Sequence, residues 1–87
     1  MKGNDMLEIT RVDHDYFNGN RTEICTVGHS RTREDAVDVI EADAEVLLST
    51  ILNEFDDETA GLTFGINADY ELIGEELYSE YFIRNNA

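Results

Sequence analysis

Two short stretches of the sequence hold residue types that do chemistry elsewhere. Asp13-His14-Asp15 offers two carboxylates and an imidazole within three positions, donors that suit a metal ion. Continued through Phe17-Asn18-Gly19, the run follows an EF-hand calcium loop in outline. Phe17 stands where a third oxygen ligand is needed, however, and Ile24 where the closing bidentate Glu is needed. The reading is therefore polar residues on an exposed hairpin, with no metal. Cys25 and His29 are the types of a nucleophile and its base. Four positions apart in a strand they would share a face but stand about 13 Å apart, which is out of reach. Gly28, Gly61, Gly65 and Gly74 show no phosphate-cradling spacing. No catalytic residue, metal ligand or cofactor is expected, and the chain is not read as an enzyme.

Charge carries more information than any motif. The 87 residues hold 20 Asp and Glu against 6 Lys and Arg, a net charge of −14. Up to Arg33 the signs balance: Asp5, Glu8, Asp13, Asp15 and Glu23 stand against Lys2, Arg11, Arg21, Arg31 and Arg33. Between Glu34 and Ile83 there is neither Lys nor Arg, so the whole deficit lies in the later part of the chain. Such asymmetry points to a directed electrostatic surface rather than to general solubilisation. With 41% apolar residues the chain is too hydrophobic for a disordered acidic tail. It also disfavours direct contact with nucleic acid, whose phosphates repel it.

The elements that must carry these charges follow from periodicity. Leu7–Val12 and Thr22–Val27 have strand composition, and Asn18-Gly19 between them suits a two-residue type I′ turn. In that tight register Val12 and Cys25 pair on one face while Ile9 and Ile24 lie on the other, so the buried face is open; a bulge or two-sided burial would resolve it. Thr32 can cap a helix, with Asp35 three residues on as a short capping box. Ala36, Ile40, Ala44, Leu47, Leu48, Ile51 and Phe55 recur at spacings of three and four, predicting a helix from about Arg33 to Phe55, about 34 Å long. Leu62, Phe64, Ile66 and Ala68 alternate with polar residues and predict a strand. After a turn near Gly74-Glu75-Glu76, Tyr78–Ile83 reads as strand, although Ile73, Leu77 and Tyr81, four apart, also allow a helix. The expected fold is one α+β domain over 1–87, with residues 1–5 disordered. Its order is β-β-α-β-β, with room for a short extra strand at Tyr70–Ile73, and one long helix packs on an antiparallel sheet.

On a helical wheel Glu34, Asp38, Glu41 and Glu45 occupy a stripe about 60° wide beside the apolar face, one carboxylate per ~5 Å of axis. DNA presents a phosphate about every 3.4 Å along one strand, a spacing of the same order. The stripe opposes its own helix, since like charges at i,i+4 cost about 0.2–0.5 kcal/mol each. Asp56, Asp57 and Glu58 then crowd the C-terminal end, where the macrodipole favours cations. A sequence that breaks local rules in this way invites a functional reason. A patterned acidic face speeds association with a Lys/Arg-lined groove and excludes anionic partners. Tyr70, Tyr78, Tyr81 and Phe82, among Glu71, Glu75, Glu76 and Glu80, are candidates either for hot spots in such a face or for core that lacks Trp.

In size and charge the whole chain resembles the small phage- or mobile-element-encoded inhibitors of bacterial defence, the anti-CRISPR proteins and the acidic DNA-mimic anti-restriction proteins. The resemblance rests on Glu34-Asp35, Asp38, Glu41, Glu45, Asp56-Asp57-Glu58, Glu71 and Glu75-Glu76. That class shares no motif, so no residue roles carry over. The resemblance implies a nucleic-acid mimic whose partner is the basic nucleic-acid-binding surface of a CRISPR effector, a restriction enzyme or a nuclease. The expected contact residues are Glu34, Asp38, Glu41, Glu45, Asp56, Asp57, Glu58, Glu71, Glu75 and Glu76. An immunity protein or antitoxin neutralising a basic nuclease toxin would share this character, as would an acidic accessory domain. A halophile's acidic protein would instead spread its acids evenly. The lone Cys25, the lack of a signal-peptide core near Met1 and the lack of a spanning apolar run give an expectation of a cytoplasmic protein in a bacterial cell, without a membrane. The sequence leaves the oligomeric state open, a homodimer included.

Overall fold

The computed structural model describes residues 6–16, 19 and 21–85. The disorder expected for residues 1–5, and the Asn18 half of the expected turn, lie outside the described residues. The chain forms β1 (Leu7–Asp15), β2 (Arg21–Ser30), α1 (Arg33–Phe55), β3 (Gly61–Phe64), β4 (Tyr70–Ile73) and β5 (Leu77–Asn85). The five strands make one antiparallel sheet in the order β2-β1-β5-β4-β3, and α1 covers one face. This is the expected α+β architecture, with the short strand at Tyr70–Ile73 present as β4 and the last segment extended rather than helical.

The helix starts where its signals lie. Thr32 is extended, and its hydroxyl accepts the Asp35 amide at 3.0 Å. Ala36, Ile40, Ala44 and Ile51 are buried, while Leu47, Leu48 and Phe55 pack half-buried beside them. Under them lie Ile9, Leu72 and Tyr81, which complete the core. Asp56 ends the helix in the left-handed conformation, φ 55°, and its amide returns to the Leu52 carbonyl.

The first hairpin departs from the tight register. Leu7, Glu8 and Ile9 face Ser30, His29 and Gly28, as a two-residue turn would require, but Thr10 faces Thr26, so Val27 is an extra residue. Below this bulge the pairing slips by one: Val12 faces Ile24, not Cys25, and the last pair is Asp15 with Arg21. A bulge reverses the side-chain alternation of its strand. It keeps Ile9 under the helix, lets Val27 pack against the core, and turns Ile24 to the uncovered face, where it is 72% exposed.

The third strand is shorter than its alternation predicts. It stops at Phe64, and Gly65 donates its amide to the Asp69 carbonyl to close a loop. The Ala68 carbonyl oxygen occupies the place a Cβ on Gly65 would take, a fold-back open only to glycine. Ile66 therefore sits on a loop and not on the buried face of a strand.

Candidate functional site

Alternation along β1 decides what the chemistry-bearing residues can do. Asp13 and Asp15 point toward the helix side and His14 to the opposite, open face, so the three donors cannot converge. Asp13 is engaged inside the fold: its Oδ1 accepts from Arg11 Nε at 2.8 Å and from Ser79 Oγ at 2.6 Å. The His14 ring meets Glu80 at 2.8 Å and stacks on Tyr78, centroids 5.3 Å apart. Among the described residues no three of His, Cys, Asp and Glu are grouped so as to hold a metal ion. Cys25 and His29, expected on one face, lie on opposite faces, because the bulge at Val27 falls between them: Cys25 faces Arg11 and His29 faces Glu8.

The acidic residues expected at the contact form two exposed groups, with Asp57 and Glu71 outside both. Glu34, Asp38, Glu41 and Glu45 are all exposed along one flank of α1. Ser49 and Leu52 continue that flank without charge, and Leu52 is 44% exposed. At the C-terminal end of the helix, Asp56 and Glu58 are exposed and Glu75 is exposed beside them, with Glu76 half-buried. The loop after α1 and the turn between β4 and β5 are tied together by Asp57, which is buried. Its Oδ1 accepts the Thr59 hydroxyl and amide, the latter at 2.9 Å, and its Oδ2 accepts the Glu75 amide at 2.8 Å. Those bonds, first the Thr59 hydroxyl and then the two amides, hold the Asp57 carboxyl below the ordinary aspartate value. Asp57 is thus an internal clasp between helix end and β4–β5 turn, and it is not available as a contact residue.

Glu71 belongs to neither acidic group. On β4 it points to the face of the sheet opposite the helix, half-buried, and accepts the Tyr78 hydroxyl at 2.9 Å. Burial, that bond and the nearby charge of Glu80 all raise the Tyr78 pKa. The aromatic residues divide in the same way. Tyr81 is fully buried and Tyr70 packs against the core, whereas Tyr78 and Phe82 lie on the open face. There Phe82 carries the Arg84 guanidinium over its ring at 4.9 Å.

Sequence reading missed a polar network between helix and sheet. Arg11 Nη1 donates to Asp43 Oδ2 at 2.6 Å, and the Tyr81 hydroxyl donates to the same oxygen at 2.7 Å. Burial works against the Arg11 charge, but its bonds to Asp13 and Asp43 outweigh that and raise its pKa. For Tyr81, burial and then the Asp43 bond raise the phenol. The signal was present: Asp43 lies on the apolar side of α1, four positions from both Val39 and Leu47. Beyond the network, a cleft of about 200 Å³ opens between the helix and the hairpin. Leu47, Ile51 and Leu77 contribute its apolar lining, and Asp13, Asp15, Arg21 and Glu23 its polar lining.

The class of molecule these observations define is an α+β protein with an acidic helix flank. Among the described residues no helix is long and apolar enough to cross a membrane. Compared with protein-family models, with curated proteins and with solved structures, the chain matches none.

Proposed function

We infer that this protein is an acidic binding protein, and that the flank of α1 docks into a basic, nucleic-acid-binding surface of another protein. The observation that carries the reading is the row Glu34, Asp38, Glu41 and Glu45. Four exposed carboxylates spaced four, three and four residues apart run over about 16 Å of helix with no cation among them. Asp56, Glu58 and Glu75 extend the negative field past the helix end. Asp57 and Glu71 are left out, the first because its own loop uses it and the second because it faces the other way.

A row of this kind attracts a Lys/Arg-lined groove over a Debye length and repels competing anions. The owner of such a groove is a CRISPR effector, a restriction enzyme or a nuclease of a bacterial cell, and the acidic flank takes the place of the nucleic acid. The activity is inhibition by occupancy, with no catalytic step.

The test is capture from a bacterial lysate on the immobilised protein, followed by elution with duplex DNA or RNA. The expected result is a nucleic-acid-binding protein that nucleic acid releases and that the E34K/D38K/E41K/E45K variant does not retain. A folded variant that retains the same protein as well as the parent does overturns the reading. Recovery of a nuclease toxin instead of a defence complex assigns the protein as a toxin-neutralising inhibitor.

A further inference from the structure

The two edges of the sheet are treated differently. The β3 edge is four residues long and runs at once into the Gly65 loop. The β2 edge is ten residues long, and its first six, Arg21-Thr22-Glu23-Ile24-Cys25-Thr26, are all exposed. An edge strand presents a row of backbone amides and carbonyls with no strand beside them, and proteins usually guard it with charged side chains, Lys above all, with Pro, with a bulge or with brevity. Here β2 has no Lys and no Pro, and its bulge at Val27 lies beyond the six-residue run. Thr, Ile and Cys fill the run, and the bulge has aimed Ile24 outward rather than into the core.

We propose that β2 is a self-association edge, along which two copies of this chain pair antiparallel to make one continuous ten-stranded sheet. Charge selects the second copy over other occupants. In a chain of net charge −14, two copies repel each other over most approaches. The run from Arg21 to Thr26 does not add to that repulsion, because its single cation and single anion, Arg21 and Glu23, pair with each other at 3.4 Å and leave it neutral.

Register follows from like-charge avoidance together with the length of strand that overlaps. Pairing centred on Glu23 sets two carboxylates opposite, and pairing centred on Arg21 sets two guanidiniums opposite, both unfavourable. Pairing centred on Thr22 would set Arg21 against Glu23 but overlap only residues 21–23, and pairing centred on Cys25 would run past the bulge at Val27. Pairing centred on Ile24 overlaps residues 21–27, sets Ile24 against Ile24 of the second copy and Thr22 against Thr26, and opposes no like charges. An antiparallel edge pairing has its two-fold axis normal to the sheet, so both helices lie on the same face of the joined sheet. Each helix touches its own β2 through Val39, which packs so closely on Gly28 that a Cβ there would lie 3.3 Å from Val39 Cγ1. The acidic row sits about 130° around the helix from Val39, which keeps it away from the shared edge.

Sedimentation velocity of the full chain, from about 1 µM to about 500 µM, tests this by mass action. The expected result is a rise from 9.9 kDa to twice that mass, with association strengthened by salt as the like charges are screened. Both I24K and I24D, at a position already outside the core, should weaken association about tenfold or more, although they move the net charge in opposite directions. Spin labels on Cys25, the one cysteine, should report a short distance, because this register sets the two Cα atoms about 8 Å apart. A 9.9 kDa species at every concentration and salt overturns the proposal. So does a dimer indifferent to both Ile24 variants with distant Cys25 labels, and so does open-ended assembly, since one two-fold edge closes at two copies. The E34K/D38K/E41K/E45K variant should still dimerise, so this result and that of the acidic-flank reading are independent.

Discussion

Arg11 of β1 and Asp43 of α1 meet at 2.6 Å, a charged bond that crosses from sheet to helix over 32 positions of sequence. Asp13 and Tyr81 complete it from either side. The side chains of Arg11, Asp13 and Asp43 retain 17%, 27% and 23% exposure, which places the pair between a solvated ion pair and a buried one. Replacing Arg11 by Met would leave two carboxylates facing each other across the helix–sheet seam. The R11M variant should lose about 2 kcal/mol in urea unfolding, between the surface and the buried limits. Adding D43N to R11M should recover part of that loss, because one of the stranded charges is gone. A loss that D43N deepens to the sum of the single effects would show that the two residues do not act on each other.

The acidic row should be stabilised by neutralisation. Glu41 and Glu45 are exposed at i,i+4 with no cation between them, so E41Q should raise stability by about 0.2–0.5 kcal/mol at low salt. The gain should disappear near 1 M salt, where the Debye length is about 3 Å. Denaturant midpoints at both salts check it, and an unchanged midpoint at low salt would mean that the carboxylates do not sense one another.

Asp56 holds φ 55° at the helix C-cap, a conformation that glycine adopts freely, and adds negative charge where the macrodipole is already negative. D56G should therefore raise the thermal midpoint, by the equivalent of about 0.5–1 kcal/mol, despite the extra freedom glycine adds to the unfolded chain. A lower midpoint would show that the Asp56 side chain holds something at the helix end.

Asp57 gives acid stability a particular sign. Its carboxyl titrates below the ordinary aspartate value because Thr59 and Glu75 bind the charged form. The stabilisation is therefore complete above the ordinary range and is lost as pH falls through the native value. D57N should be less stable than the parent at neutral pH, and the gap should narrow as the solution is acidified below the ordinary aspartate range. Parallel stability–pH curves for the two proteins would contradict this.

At Gly65, alanine would place its Cβ on the Ala68 carbonyl oxygen. The loop must open to admit it, so G65A should cost about 1–3 kcal/mol, the usual range for an overpacked contact. The same change at Gly61, where a Cβ meets nothing within 4 Å, should cost far less, and the pair of variants checks the geometry by equilibrium unfolding.

What could be read from residue order alone was local or additive. The span Arg33–Phe55 announces itself because helix periodicity depends on neighbours three and four apart, and the Thr32 cap bonds three residues on. The charge split at Arg33 is a sum over the sequence and needs no fold. Tyr70–Ile73 and Tyr78–Ile83 are extended because their aromatic and branched residues suit a pleated surface. What a strand residue faces is another matter, since it depends on which strand pairs with it and in what register. One unpaired residue, Val27, separated Ile9 from Ile24 and Cys25 from His29, and nothing in the order of residues marks it as a bulge. Asp57 and Glu71 have neighbours as acidic as the exposed Glu58 and Glu75, but contacts 18 and 7 positions away drew them inward or to the far face. Side-chain direction is thus set by long-range pairing, so only the folded chain could separate the exposed carboxylates from those that hold the molecule together.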